Sequence, residues 1–174
     1  MIFSLLRRRR QGQDIEPLYG AMMTNALNPK LFLNAGLLDT FEGRFESVAL
    51  HAALLLRRLR QLPAPAGDMA QEIVDRIFDG LDAAMRETGI SDVGVPKRIK
   101  TFAKGFYGRI EAYSTALDAG DRAALAAALS RNACDGTDAH PALVSYVERS
   151  AAMLETASLD QFVAGHMPVA EVVP

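Results

Sequence analysis

The strongest constraint on this chain is the spacing of its apolar residues. They recur at steps of three and four, in blocks separated by Pro, Gly and short polar runs, which is the period of amphipathic helices. Ile15, Leu18, Tyr19, Met22, Met23 and Ala26 make a first stripe. Asp14 stands before it as a cap and Pro17 lies in its first turn, while Asn28-Pro29 ends it. Lys30 to Thr40, broken by Gly36, reads as an ordered connection. Phe41, Phe45, Val48, Ala52, Leu55, Leu56 and Leu59 predict a second helix from Thr40 to Leu62, closed by the linker Pro63-Ala64-Pro65-Ala66-Gly67. A third helix is expected from Asp68 to Thr88, with Gly89 after it, and a loop from Ile90 to Val95. A fourth runs from Pro96 to Asp118 along Ile99, Phe102, Phe106, Ile110 and Tyr113. An Ala-rich helix from Asp121 to Asn132, a loop to His140 and a last long helix from Pro141 to Ala157 follow. Residues 158–165 add one more turn, and the tail from Met167 reads as frayed.

Composition agrees with the pattern, because Ala is abundant and β-branched residues are thin before the C-terminal tail. The expected fold is all-α: one compact domain of six helices over 14–165, a flexible N-terminal arm at 1–13 and a tail at 166–174. The 174 residues suffice for one real core. Lys and Arg number 19 against 21 for Asp and Glu, so a net basic nucleic-acid binder is disfavoured. A single Cys permits no internal disulfide, which suits a reducing compartment.

The longest apolar stretch, Val48 to Leu56, is interrupted by His51 and stopped by Arg57 and Arg58, far short of the roughly 18–20 residues of a spanning helix. The chain opens with Ile2, Phe3, Leu5 and Leu6, then Arg7, Arg8, Arg9 and Arg10. The apolar part precedes the charge and is too short for an export signal. A frayed tail is the plain reading of this segment. The sharper one is peripheral contact with an anionic membrane through Phe3, Leu5, Leu6 and Arg7 to Arg10.

Enzyme signatures are missing: there is no phosphate loop, dinucleotide fingerprint or nucleophile elbow. His51, His140 and His166 lie far apart, and Cys134 has acidic neighbours that oppose thiolate formation. No catalysis, metal or cofactor is expected. Surface stripes carry more. Arg44, His51 and Arg58 are seven residues apart, a drift of about 20° per step. Asp75, Asp79, Asp82 and Arg86 share a face, as do Lys97, Lys100 and Lys104, followed by Tyr107. Solvated faces and internal pairs, Asp82 with an Arg above all, are the bland reading. A partner-binding surface that also uses Arg109 is the sharper one. Gly105 and Gly108 inside the fourth helix ask for a close approach, most simply by a neighbour within the fold.

Three segments resemble a known family. Asp39-Thr40-Phe41-Glu42-Gly43-Arg44-Phe45-Glu46 with Leu50-His51 and Leu54 to Leu59 is similar to its first signature. Phe78-Asp79-Gly80-Leu81-Asp82 with Met85 to Asp92 is similar to its second, and Val95 to Lys100 with Phe106-Tyr107-Gly108-Arg109 and Ala112-Tyr113 to its third. The family is the ubiquinol–cytochrome c chaperone family. The resemblance implies an all-helical, non-catalytic chaperone that binds newly made cytochrome b and promotes assembly of the cytochrome bc complex. In mitochondria such proteins work with a small helper protein and near the ribosome. With the missing export signal the expected location is cytoplasmic, with peripheral contact at the cytoplasmic face of the inner membrane that the resemblance makes more pressing, and the charge balance leaves no nucleic-acid partner expected. On this reading Arg44, His51, Arg58, Asp82, Arg86, Lys97, Lys100, Tyr107 and Arg109 are the partner-binding candidates, and Phe45, Phe78 and Phe106 belong to the core. The competing reading is a helical anion or small-molecule binder, or an enzyme, using Arg44, His51 and Arg58.

Overall fold

The computed structural model describes residues 14–87, 95–134 and 136–173. They form eight α-helices: α1 (Glu16–Ala26), α2 (Pro29–Asn34), α3 (Phe41–Leu59), α4 (Ala66–Glu87), α5 (Val95–Asp118), α6 (Arg122–Ala133), α7 (Pro141–Thr156) and α8 (Leu159–Val163). No strand occurs among the described residues. The all-α expectation therefore holds, with two short helices beyond the six long ones. The residues of the N-terminal arm and most of the loop before α5 lie outside the described residues.

Local chemistry sets the boundaries. Thr40 accepts from the Gly43 amide at 3.1 Å and starts α3, and Asp121 accepts from the Ala124 amide at 2.9 Å and starts α6. His140 caps α7 through Nδ1, and Ser158 with Gln161 forms a capping box on α8. Asp14 accepts from the Glu16 amide at 3.1 Å, although the residue at the cap position of α1 is Ile15.

The hub is α3, which packs against α1, α4, α5, α6 and α7. A helix touched on so many sides buries nearly its whole girth, and Phe45 through Arg57 is an unbroken buried run. Two close approaches fix its entry. A Cβ on Gly43 would lie 1.9 Å from the Leu38 carbonyl oxygen, so the strand of chain leading into α3 lies directly on that glycine. Ser47 donates to the Ala26 carbonyl at 2.6 Å and ties α3 to the end of α1.

Two expectations are corrected. The connection Lys30 to Thr40 contains α2, capped by Asn28 and started by Pro29. The tail is docked where fraying was expected: Met167 and Val172 are buried, Asn25 donates to the Met167 carbonyl at 3.0 Å, and Arg149 donates to the Glu171 carbonyl at 2.8 Å.

Candidate functional site

A mostly apolar concavity lies between α1, α3 and α4, with a volume of about 270 Å³. Tyr19 and Met23 come from α1 and Leu27 from its C-cap, Phe41, Arg44, Phe45 and Val48 from α3, and Ile77, Gly80, Leu81 and Ala84 from α4. The contributing positions follow helical spacing: 19, 23 and 27 along α1 and its C-cap, 41, 45 and 48 on α3, and 77, 81 and 84 on α4. The groove is thus where three amphipathic stripes meet without closing. Small residues on α4 keep it open. A Cβ on Gly80 would already stand 3.0 Å from the Tyr19 hydroxyl. Leu27 is 42% exposed at one side.

One charge stands among these groups. Arg44 is exposed and donates through Nε to Asp39 at 2.7 Å, and that hydrogen bond holds the Asp39 carboxyl below its ordinary value. Behind the groove, Phe102 of α5 packs edge-on against Phe45, with ring centroids 4.5 Å apart, and against Phe41 at 6.2 Å. The groove walls are therefore backed by aromatic rings and do not rest on loops. Nothing in this lining carries chemistry: it holds no paired carboxylates and no nucleophile with a base, and no metal-binding cluster occurs among the described residues. What such a surface offers is a slot for apolar side chains beside one guanidinium.

The row Arg44, His51, Arg58 does not form one surface. His51 is fully buried, with Nδ1 2.7 Å from the Ser47 carbonyl and Nε2 2.6 Å from the Tyr146 hydroxyl. Burial pushes its pKa down to about 4, so it is neutral near pH 7. Arg58 is half-buried and spends Nε and Nη2 on the Ala157 carbonyl at the end of α7, at 3.1 and 2.9 Å. An anion site built on these three residues therefore has no geometry to support it.

The other candidates divide in the same way. Arg109 makes a bidentate pair with the buried Glu46 and lies 5.9 Å over the Phe45 ring. A Cβ on Gly105 would fall 2.5 Å from the Arg109 Nη1, so this glycine makes room for a guanidinium of its own helix, and the close approach by a neighbouring element that was expected is not what fills the space. Gly108 faces open space. Asp82 and Arg86 pair at 2.7 Å one turn apart on α4. Lys97, Lys100 and Tyr107 stand exposed on α5. The arm residues Phe3, Leu5, Leu6 and Arg7 to Arg10 lie outside the described residues. Of the core aromatics, Phe106 is fully buried, Phe78 is half-buried, and Phe45 is buried while contributing to the groove lining. Sequence reasoning missed the groove residues of α1 and α4, whose stripes were read as core. The one available signal was Gly80 and Ala84, small residues a turn apart on a face otherwise large and apolar.

No helix among the described residues is long and apolar enough to cross a membrane. A comparison with curated proteins returns no match. The crystal structure of the Cbp3 homolog from Brucella abortus is similar to this chain at 36% identity and a TM-score of 0.83, covering 99% of this chain and 98% of that one. The family model of the ubiquinol–cytochrome c chaperones matches residues 34–170, which include α3 to α7 and two of the three groove walls. The chain belongs to the ubiquinol–cytochrome c chaperone family.

Proposed function

We propose that this protein binds newly made cytochrome b and promotes biogenesis of the ubiquinol–cytochrome c reductase complex, with no catalysis of its own. The observation that carries the reading is the groove of about 270 Å³ between α1, α3 and α4, lined by apolar and small residues with Arg44 beside it. A client made of long apolar helices exposes side chains that need shelter before its partners arrive. Each buried Leu- or Phe-sized side chain contributes about 1.5–3 kcal/mol of gross stabilisation. Two or three seated in the groove would hold an amphipathic segment in the manner of helix-in-groove binders. Arg44 would meet a carboxylate or a helix C-terminal carbonyl of the client.

The test is capture of cytochrome b by the tagged chain, with and without Ala84→Phe, which fills the slot from its α4 wall. Capture by the wild type and its loss in a variant of unchanged helicity is the expected result. Deletion of the gene should lower the assembled cytochrome bc complex. Normal complex levels in the deletion strain would overturn the reading. A helper protein and the ribosome are further proposals, read as additional components of the same capture. The N-terminal arm adds a proposed peripheral contact at the cytoplasmic face of the inner membrane, through Phe3, Leu5, Leu6 and Arg7 to Arg10.

A further inference from the structure

From Val95 to Ile110, α5 carries Lys97, Arg98, Lys100, Lys104 and Arg109 and no acidic residue, in a chain whose net charge is −2. Arg109 is engaged by Glu46. The three lysines are not engaged in this way: among the described residues, the ion pairs are made by arginines. At about 100° per residue, Lys97, Lys100, Lys104 and Tyr107 fall within about 80° of arc on a strip roughly 15 Å long. All four are exposed, Tyr107 by 55%. The opposite face, with Ile99, Phe102, Phe106 and Ile110, packs into the core.

Two features set this strip apart from an ordinary solvated face. Lys97 and Arg98 sit in the first turn of α5, where no acidic residue accompanies them. Cations there oppose the helix macrodipole and weaken the helix, so stability does not account for them. Tyr107 then places a large amphipathic ring on the surface at the end of the lysine row, an arrangement suited to the boundary between headgroups and water.

We propose that this strip docks on an anionic lipid bilayer and leaves the groove uncovered. Lysines are compact charges on flexible stems that settle onto a plane of headgroups, and the strip lacks the arginine forks that grip single phosphates. A lone aromatic ring provides no stacking platform for nucleic-acid bases. A single weak membrane signal gives reversible attachment, and two acting together give stable attachment. The arm, with its apolar residues followed by Arg7 to Arg10, is the other signal. Orientation follows from packing. Phe102, on the opposite face of this same half of α5, touches the groove residues Phe41 and Phe45 from behind, so the strip lies on the far side of α5 from the groove and docking leaves the groove open. The inference does not depend on which client the groove holds.

The experiment is flotation of the full chain with phosphatidylglycerol-containing vesicles and with pure phosphatidylcholine vesicles. It compares wild type, the triple variant Lys97→Gln/Lys100→Gln/Lys104→Gln, its Lys→Arg counterpart, and Arg7→Gln to Arg10→Gln in the arm. Each lysine near the surface is expected to change partitioning about fivefold, so the triple Gln variant should lose about 100-fold on the anionic vesicles while the Lys→Arg variant keeps binding. Its thermal midpoint should stay level or rise, because charges opposing the dipole have gone. The chain contains no Trp, so Tyr107→Trp is a single reporter whose emission should shift to the blue on anionic vesicles only. Wild-type flotation by the triple Gln variant, or an unmoved Trp emission, overturns the proposal. So does loss of RNA binding in that variant with vesicle binding intact, which would assign the strip to nucleic acid.

Discussion

Replacing Arg109 by Gln tests whether this residue serves a partner or the fold. Glu46 sits on α3 with its side chain 11% exposed, and Arg109, 21% exposed, is the cation that faces it. Burial raises the Glu46 pKa above its ordinary value, and the hydrogen bond and charge of Arg109 pull it back. Breaking a fully buried pair by removing one partner costs about 3–5 kcal/mol. Residual solvent access places this one nearer to about 2–3 kcal/mol. For a domain of this size that is a fall of about 5–10 °C in thermal midpoint. The sign of the pH dependence follows from the carboxyl. A group whose pKa is raised in the folded state contributes most below its unfolded pKa, and that contribution is lost as pH rises through the folded value. Without Arg109 the Glu46 pKa climbs further. The deficit of the variant should therefore be small near pH 4 and grow toward pH 7. Denaturant unfolding of wild type, Arg109→Gln, Glu46→Gln and the double variant at several pH values measures it. The double variant should recover part of the loss, because an orphaned charge is the main cost. A deficit below about 0.5 kcal/mol at pH 7, or one independent of pH, would refute the argument and return Arg109 to the pool of partner contacts.

Other outcomes follow from single contacts. His51 has a folded pKa of about 4 against 6.5 when exposed, so stability should fall by roughly 3 kcal/mol as pH drops from above 6.5 through 4. His51→Gln should flatten that part of the pH–stability curve, as chemical denaturation would show. Gly108→Ala meets nothing within 4 Å and should stabilise by about 0.5–1 kcal/mol, read as a rise in thermal midpoint. Gly105→Ala should fall short of that gain, because its Cβ displaces Arg109 from Glu46. Gly43→Ala drives a Cβ into the Leu38 carbonyl and should cost several kcal/mol, on the order of the larger overpacking penalties. An unchanged midpoint in that variant would mean that the chain before α3 yields without cost.

The long helices were legible because period and punctuation coincide, as where Pro141 follows the polar loop and begins the stripe of α7. The helix α2 was missed for a physical reason: in six residues only Leu31 is buried while Leu33 is 80% exposed, so no stripe exists to be read. The docked tail escaped because it has no regular structure and is held by side chains, Asn25 and Arg149, that donate to its carbonyls, contacts that carry no sequence period. The candidate site failed most at α3. A polar row at seven-residue spacing predicts a solvated face only if the helix has one, and α3 is nearly enclosed. Its polar residues are satisfied by distant groups: Ser47 by Ala26, His51 by Tyr146, and Arg57 by Asp118 at 2.6 Å and Glu155 at 2.9 Å. Local sequence does not reveal such partners. The groove was invisible for the converse reason, since a stripe that lines a cleft and one that fills a core read alike.

The docked tail bears on the order in which the molecule is made. Met167 is joined to Asn25 across 142 positions, and a Cβ on Gly165 would lie 2.5 Å from Pro17, so the segment after α8 braces the helix that supplies Tyr19 and Met23. During vectorial synthesis α1 emerges early, can meet α3 through Ser47 and Ala26, and gains this second brace only when residues 165–167 follow. The α1 wall of the groove is thus held from both sides only after every other described helix has been made.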